Sequence, residues 1–193
     1  MDLEQRIEYF NEELSLITSE LIKEFTIACL GASPDYVFED CPSSSTGKFH
    51  PIDELGADGT LIHTKKVFAM AYELSTGLDC VEYRDEICAA ALLHDMAKQG
   101  LIKSRWTAKD HPQIMAKLII DIYSKDFKDR ITKDAVLKIY YGVFYHYGPW
   151  TDASVRKPLA DYKPWELSVY LADYVSSKRF VHVNSYKKIL EVL

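Results

Sequence analysis

The chain has 193 residues, 48% of them apolar and 27% charged, which argues against a disordered polymer and predicts a chain that folds around one ordinary core without staples. Its formal net charge of −6 argues against a surface built to neutralise nucleic-acid phosphates, but allows a small anion met by a local cluster of cations or a metal. The opening Met-Asp-Leu-Glu-Gln-Arg has no basic stretch leading into an apolar run, so neither a secretory leader nor a membrane span is expected, and the cytoplasm is the expected compartment. Cys29, Cys41, Cys80 and Cys88 contain no CxxC pair and are expected to be reduced, packed thiols.

Leu3, Ile7, Phe10, Leu14, Ile17, Leu21, Phe25 and Ala28 recur at steps of three and four, predicting one long amphipathic helix over residues 3–30, an accessory element within 1–31. Its apolar stripe fits packing within the domain or against a second copy. Gly31 and Pro34 end it, and 32–59, with three prolines, three glycines and the run Ser43-Ser44-Ser45-Thr46, is a long loop. Lys48 and His50 among small hydroxyl residues suggest a segment folded over a polar pocket; a mobile surface loop is the other reading.

A helix follows over 60–76, with Leu61, Val67, Ala71 and Leu74 inward, His63 in its first turn and Gly77 as its stop. The next, over 81–97, carries Ile87-Cys88-Ala89-Ala90-Ala91-Leu92-Leu93, apolar nearly all round and therefore central. Further helices are expected from Asp110-His111-Pro112 to Tyr123, from a Thr132 cap to His146, and from Pro164 through Val169, Leu171 and Val175. A second polar loop separates the last two over 147–163. No useful period-two pattern occurs, so the predicted class is all-α.

Chemistry concentrates where acids interrupt apolar runs. His94-Asp95 ends the most apolar helix, and a carboxylate there leaves water and needs a partner. Adjacent helical side chains diverge by about 100°, so the two can share an ion lying beyond the last turn. Asp173 sits within Val169-Tyr170-Leu171-Ala172-Asp173-Tyr174-Val175, where the same burial argument applies. His63 is a third candidate ligand, with Lys65 and Lys66 beside it. Two imidazoles and two carboxylates suit Mn, Fe, Co, Ni or Zn better than Ca, with Mg also admissible. Each residue alone has a bland alternative: a core histidine, or an aspartate paired with Arg84 or Arg179.

Taken together, His63, Leu92-Leu93-His94-Asp95-Met96-Ala97-Lys98 and Leu171-Ala172-Asp173 resemble the HD superfamily of metal-dependent phosphohydrolases. The resemblance covers about residues 45–180 and implies an HD-domain helical bundle, here one domain over 1–193 with a long N-terminal helix and two polar loops over the metal site. It implies that His63, His94, Asp95 and Asp173 hold one ion. It further implies a second ion on His111 and His146, with Asp95 bridging; phosphate binding or helix capping is the other reading of those histidines. Residues 44–51 and 59–64 look like the start of the HD region in bacterial exoribonuclease-like and phage-borne members, so the expected cytoplasm is that of a bacterium, or of the host if phage-encoded. The OB domain of such exoribonucleases is not found in this sequence, which disfavours a polymeric substrate.

The implied reaction is hydrolysis of a nucleotide phosphate ester or anhydride by metal-bound hydroxide. Asp95 and Lys98 would be catalytic, with Lys98, Lys66 and Arg179 on the phosphoryl oxygens. Lys48, Tyr147 and Trp150 would complete a substrate site, the rings stacking on a base. The expected partner is a small nucleotide, with nucleic acid only as short single strands, and no membrane. Two alternatives are a 3'-directed exonuclease on short single strands, for which no Lys/Arg-dense track is found, and a non-catalytic nucleotide sensor, which complete retention of the ligands disfavours.

Overall fold

A helix with no polar face has to lie where every direction is protein, and residues 87–93 do: each is at most 1% exposed. They form most of the central helix of a computed structural model that describes residues 1–183 and contains no strand among them. The elements in chain order are α1 (Leu3–Tyr9), α2 (Asn11–Ser15), α3 (Glu20–Ala32), α4 (Tyr36–Glu39), α5 (Gly59–Gly77), α6 (Arg84–Leu93), α7 (His111–Ile122), α8 (Lys133–Tyr145) and α9 (Pro164–Ser176). The all-α expectation holds. Residues 184–193 of the expected domain fall outside the described residues.

Helix α6 is bordered by α5, α8, α9 and α3. Small side chains at 89–91 allow the close approach: a Cβ added to Gly142 of α8 would lie 2.8 Å from Ala90 Cβ and 3.4 Å from Val169 of α9. The caps read from the sequence are present at α8, where Thr132 accepts from Ala135 N, and at α9, which opens on Pro164. Helix α6 is shorter than expected, starting after a 3-10 turn at Val81–Tyr83 and ending at Leu93.

The long N-terminal helix is the main local correction. It is divided into α1, α2 and α3 by breaks at Phe10 and at 16–19. The second break has a tertiary cause: the Asp85 carboxylate accepts from Thr18 N at 3.0 Å, Ser19 N at 2.8 Å and the Thr18 hydroxyl at 2.8 Å. Amides that a continuous helix would use internally are spent on a distant acid, and the Ser19 hydroxyl restarts the helix by accepting from Ile22 N. Phe10, Leu14, Ile17 and Phe25 still enter the same buried cluster as α5–α9, whereas Leu3 and Leu21 remain exposed. All four cysteines are free and buried. Among the described residues no helix is long and apolar enough to cross a membrane.

Candidate metal centre

Five helix ends or faces converge on one point. His63 lies in the second turn of α5, His94 caps α6, His146 caps α8 and Asp173 lies on α9; Asp95 follows His94, and His111 opens α7. All four histidines and Asp95 are at most 1% exposed.

The histidine tautomers follow from their neighbours. Nδ1–H of His94, His111 and His146 donates to the carbonyl oxygen three residues earlier, of Ala91, Ala108 and Val143, each at 2.7 Å. A carbonyl only accepts, so in the neutral ring the lone pair is on Nε2, the arrangement of a metal-ligating histidine with its second nitrogen held by a backbone oxygen. Those Nε2 atoms point at one another and at the acids. His111 Nε2 is 3.1 Å from His146 Nε2, and they lie 3.1 and 3.7 Å from Asp95 Oδ1. His94 Nε2 is 3.4 Å from Asp95 Oδ2 and 4.0 Å from Asp173 Oδ1, and His63 Nε2 meets Asp173 Oδ1 at 2.9 Å.

Three buried atoms in this cluster, His63 Nδ1, His94 Nε2 and Asp95 Oδ1, have no hydrogen-bond partner, a costly arrangement for the two that face the other donors unless a ligand completes it. Facing imidazole nitrogens that both carry lone pairs repel unless a cation lies between them. Two sets at the centre are compatible with an ion, His63–His94–Asp173 and Asp95–His111–His146, and His50–Glu54–His63 forms a third beside them. The residues present therefore fit a divalent transition metal in composition, tautomer and unmet bonding capacity.

Charge is tightly balanced. Burial alone would raise the Asp95 carboxyl, but Lys98 and the surrounding imidazoles hold it well below the usual carboxylate range. Burial opposes the charge of Lys98, and Asp95, which accepts its ammonium, overrides it and raises its pKa. Burial likewise opposes ionisation of Asp173, and His63 more than offsets it. For His63, burial is outweighed by Asp173 and Glu54, so its pKa is raised to about 9 without a metal. His111 is lowered, by burial first.

The cluster forms the floor of a cavity of about 340 Å³. Asp95, Lys98, His111, His146 and Asp173 line it, together with 43–46, Phe49 and His50 of the first loop and the rings of Tyr147, Trp150, Tyr170 and Tyr174. Residues 43–46, 49 and 50 of the first loop thus line the cavity. Trp150 and Tyr174 stack with centroids 5.9 Å apart and planes at 19°, and Lys178 Nζ sits 3.5 Å over the Tyr174 ring.

Three expected substrate contacts are not among the residues that line the cavity. Lys48 is exposed and does not line the cavity. Lys66 is buried with its ammonium 2.8 Å from both Asp53 and Glu54, so its charge is already spent. Arg179 is exposed outside the cavity, and its neighbour Lys178 lines the wall instead. Lys178, Tyr170, Tyr174 and Glu54 were not singled out from the sequence; 170, 173, 174 and 177 share one helical face by their three- and four-residue spacing, a signal that starts from Asp173.

A search of curated proteins and one of solved structures found no match. The HD domain model matches residues 60–178, more than half of the chain and every helix that supplies a donor to the two sets. Sequence match and converging donors agree, and the protein belongs to the HD superfamily of metal-dependent phosphohydrolases.

Proposed function

We propose that this protein hydrolyses a phosphate ester or anhydride of a nucleotide. The observation that carries this reading is a cavity with two kinds of lining: buried metal-compatible donors with Lys98, and the exposed, stacked Trp150–Tyr174 pair with Lys178. His63, His94, Asp95 and Asp173 would hold one divalent ion, and Asp95, His111 and His146 a second, and such ions would supply an acidified water and neutralise phosphate charge. The chain's own groups do the rest. Lys98 supplies positive charge next to the phosphoryl position. The aromatic wall offers a base a flat, partly exposed surface, a contact of about 1–3 kcal/mol per base, and Lys178 adds a cation at the rim.

Gly148 makes that wall possible. Its φ is +53°, and a Cβ there would overlap the Tyr170 ring, so only glycine lets the 147–150 turn lie against α9. Gly148→Ala is expected to displace Tyr147 and Trp150, raising KM for a nucleotide by about tenfold, equivalent to about 1.4 kcal/mol of binding. The rate on p-nitrophenyl phosphate should change much less. Steady-state kinetics on both substrates tests the proposal; equal loss on both, or none on the nucleotide, rules out the aromatic wall as a base site.

A further inference from the structure

We propose that Glu54, carried by the loop that precedes the family-matched region, is a positioning residue for the metal centre, holding His63 so that its Nε2 faces Asp173 and the ion. The inference rests on the metal-site reading above, and concerns residues outside the matched segment, which begins at residue 60.

Glu54 is fully buried, in a 3-10 turn at Ile52–Glu54. Its Oε2 accepts from His50 Nδ1 at 2.7 Å and lies 3.1 Å from His63 Nδ1; its Oε1 accepts from Lys66 at 2.8 Å. His63 differs in this from the other three cluster histidines, whose Nδ1 atoms are held by carbonyls of their own chain turn. For His63 the group beside Nδ1 is instead a loop carboxylate, in charge contact at 3.1 Å without a hydrogen bond to it. Such partners fix ring orientation and tautomer, and their loss typically costs about 10–100-fold in metal affinity.

The loop is built to hold Glu54 there. Cys41 N donates to Ala57 O at 2.6 Å, Ser43 N to Glu54 O at 3.0 Å and Thr60 N to Cys41 O at 2.8 Å, while the Ser43 hydroxyl donates to Gly59 O at 2.6 Å. A Cβ on Gly59 would overlap the Glu54 carbonyl, so the start of α5 and the Glu54 turn touch backbone to backbone. Lys66, on the same helix as His63, neutralises Glu54 so that it can stay buried. His50 also lines the cavity, so the loop joins the substrate wall to a metal ligand.

The test is Mn²⁺ binding to the full chain, followed by electron paramagnetic resonance of the free ion. A His146→Ala background leaves His63, His94, Asp95 and Asp173 in place. Adding Glu54→Gln, nearly the same in shape, should raise the Mn²⁺ Kd by about 10–100-fold, and Lys66→Met, which frees Glu54 to move, should raise it less. Glu54→Asp should recover part of the affinity. A merely structural Glu54 would lower the melting temperature and leave the Kd of the folded protein unchanged; that result, in either Glu54→Gln or Lys66→Met, overturns the inference alone. No Mn²⁺ uptake by the unmodified protein overturns the metal-site reading with it.

Discussion

Asp95→Ala is expected to abolish turnover and to weaken the metal-free fold at the same time. Asp95 is the carboxylate within reach of both donor sets, with Oδ1 facing His111 and His146 and Oδ2 facing His94 and Lys98. Removing it would strip the proposed centre of its shared ligand, and the rate should fall about a thousandfold or more, equivalent to about 4 kcal/mol of transition-state stabilisation. In the metal-free protein the change leaves the Lys98 ammonium, 7% exposed, without its counter-ion. Breaking a buried pair in this way costs about 3–5 kcal/mol. Thermal melts in a chelator, metal uptake by equilibrium dialysis and product release should all respond. An Asp95→Ala protein that melts like the parent and still binds two ions would show that Asp95 does not stand at the centre of the site.

The second large effect is a pH dependence that metal should remove. Metal-free His63 is raised from 6.5 to about 9 by Asp173 and Glu54, against the opposing effect of burial. A pKa raised on folding contributes stability that is complete below the unfolded value and lost as pH rises through the folded one. The window is therefore about pH 6.5 to 9. The loss approaches about 3 kcal/mol, from roughly 2.5 pH units at 1.36 kcal/mol each. For a chain of this size that is roughly 6–12 °C of melting temperature. The same pairs hold Glu54 and Asp173 below the ordinary carboxylate range; their share is present above about pH 4 and lost as pH falls below it. An ion held by His63, as proposed, would require the neutral ring and displace its proton. Melting curves from pH 6 to 9 should fall steeply in chelator and stay nearly flat in saturating metal. Parallel curves would mean that His63 is not a ligand.

The sequence and the structure agree best where burial alone is informative. Ile87–Leu93 has no polar face, so its place at the centre follows from the hydrophobic effect, and the residues just beyond it must be either partnered or functional. Asp173 was legible for the same reason. The ends of α8 and α9 followed from Thr132 and Pro164, whose capping chemistry is local.

What the sequence hid was tertiary. The break at 16–19 depends on Asp85, which is 66 or 67 residues away, and no local period reports an acid arriving from another helix. Lys66 reads as a free cation beside His63, yet Asp53 and Glu54 fold back onto it from a segment without regular spacing. Lys178 rather than Arg179 lines the cavity because it stands four residues after Tyr174, on the face of Tyr170 and Asp173, and Arg179 is one residue out of that phase. Glu54 itself lies on a loop whose path is fixed by backbone hydrogen bonds to 41–43, and backbone pairing leaves little trace in side-chain pattern.

The measurement that tests the central claim most directly is product detection by mass spectrometry. The purified protein, loaded with Mn²⁺, would be incubated with nucleoside mono- and triphosphates, cyclic nucleotides and short oligonucleotides, with chelator-treated protein beside it. The account predicts metal-dependent release of phosphate or of a cleaved nucleotide from at least one small member of the panel, with the oligonucleotides left intact. Metal and nucleotide both bound, with no product from any member, would contradict it and make the protein a nucleotide sensor built on a hydrolase fold.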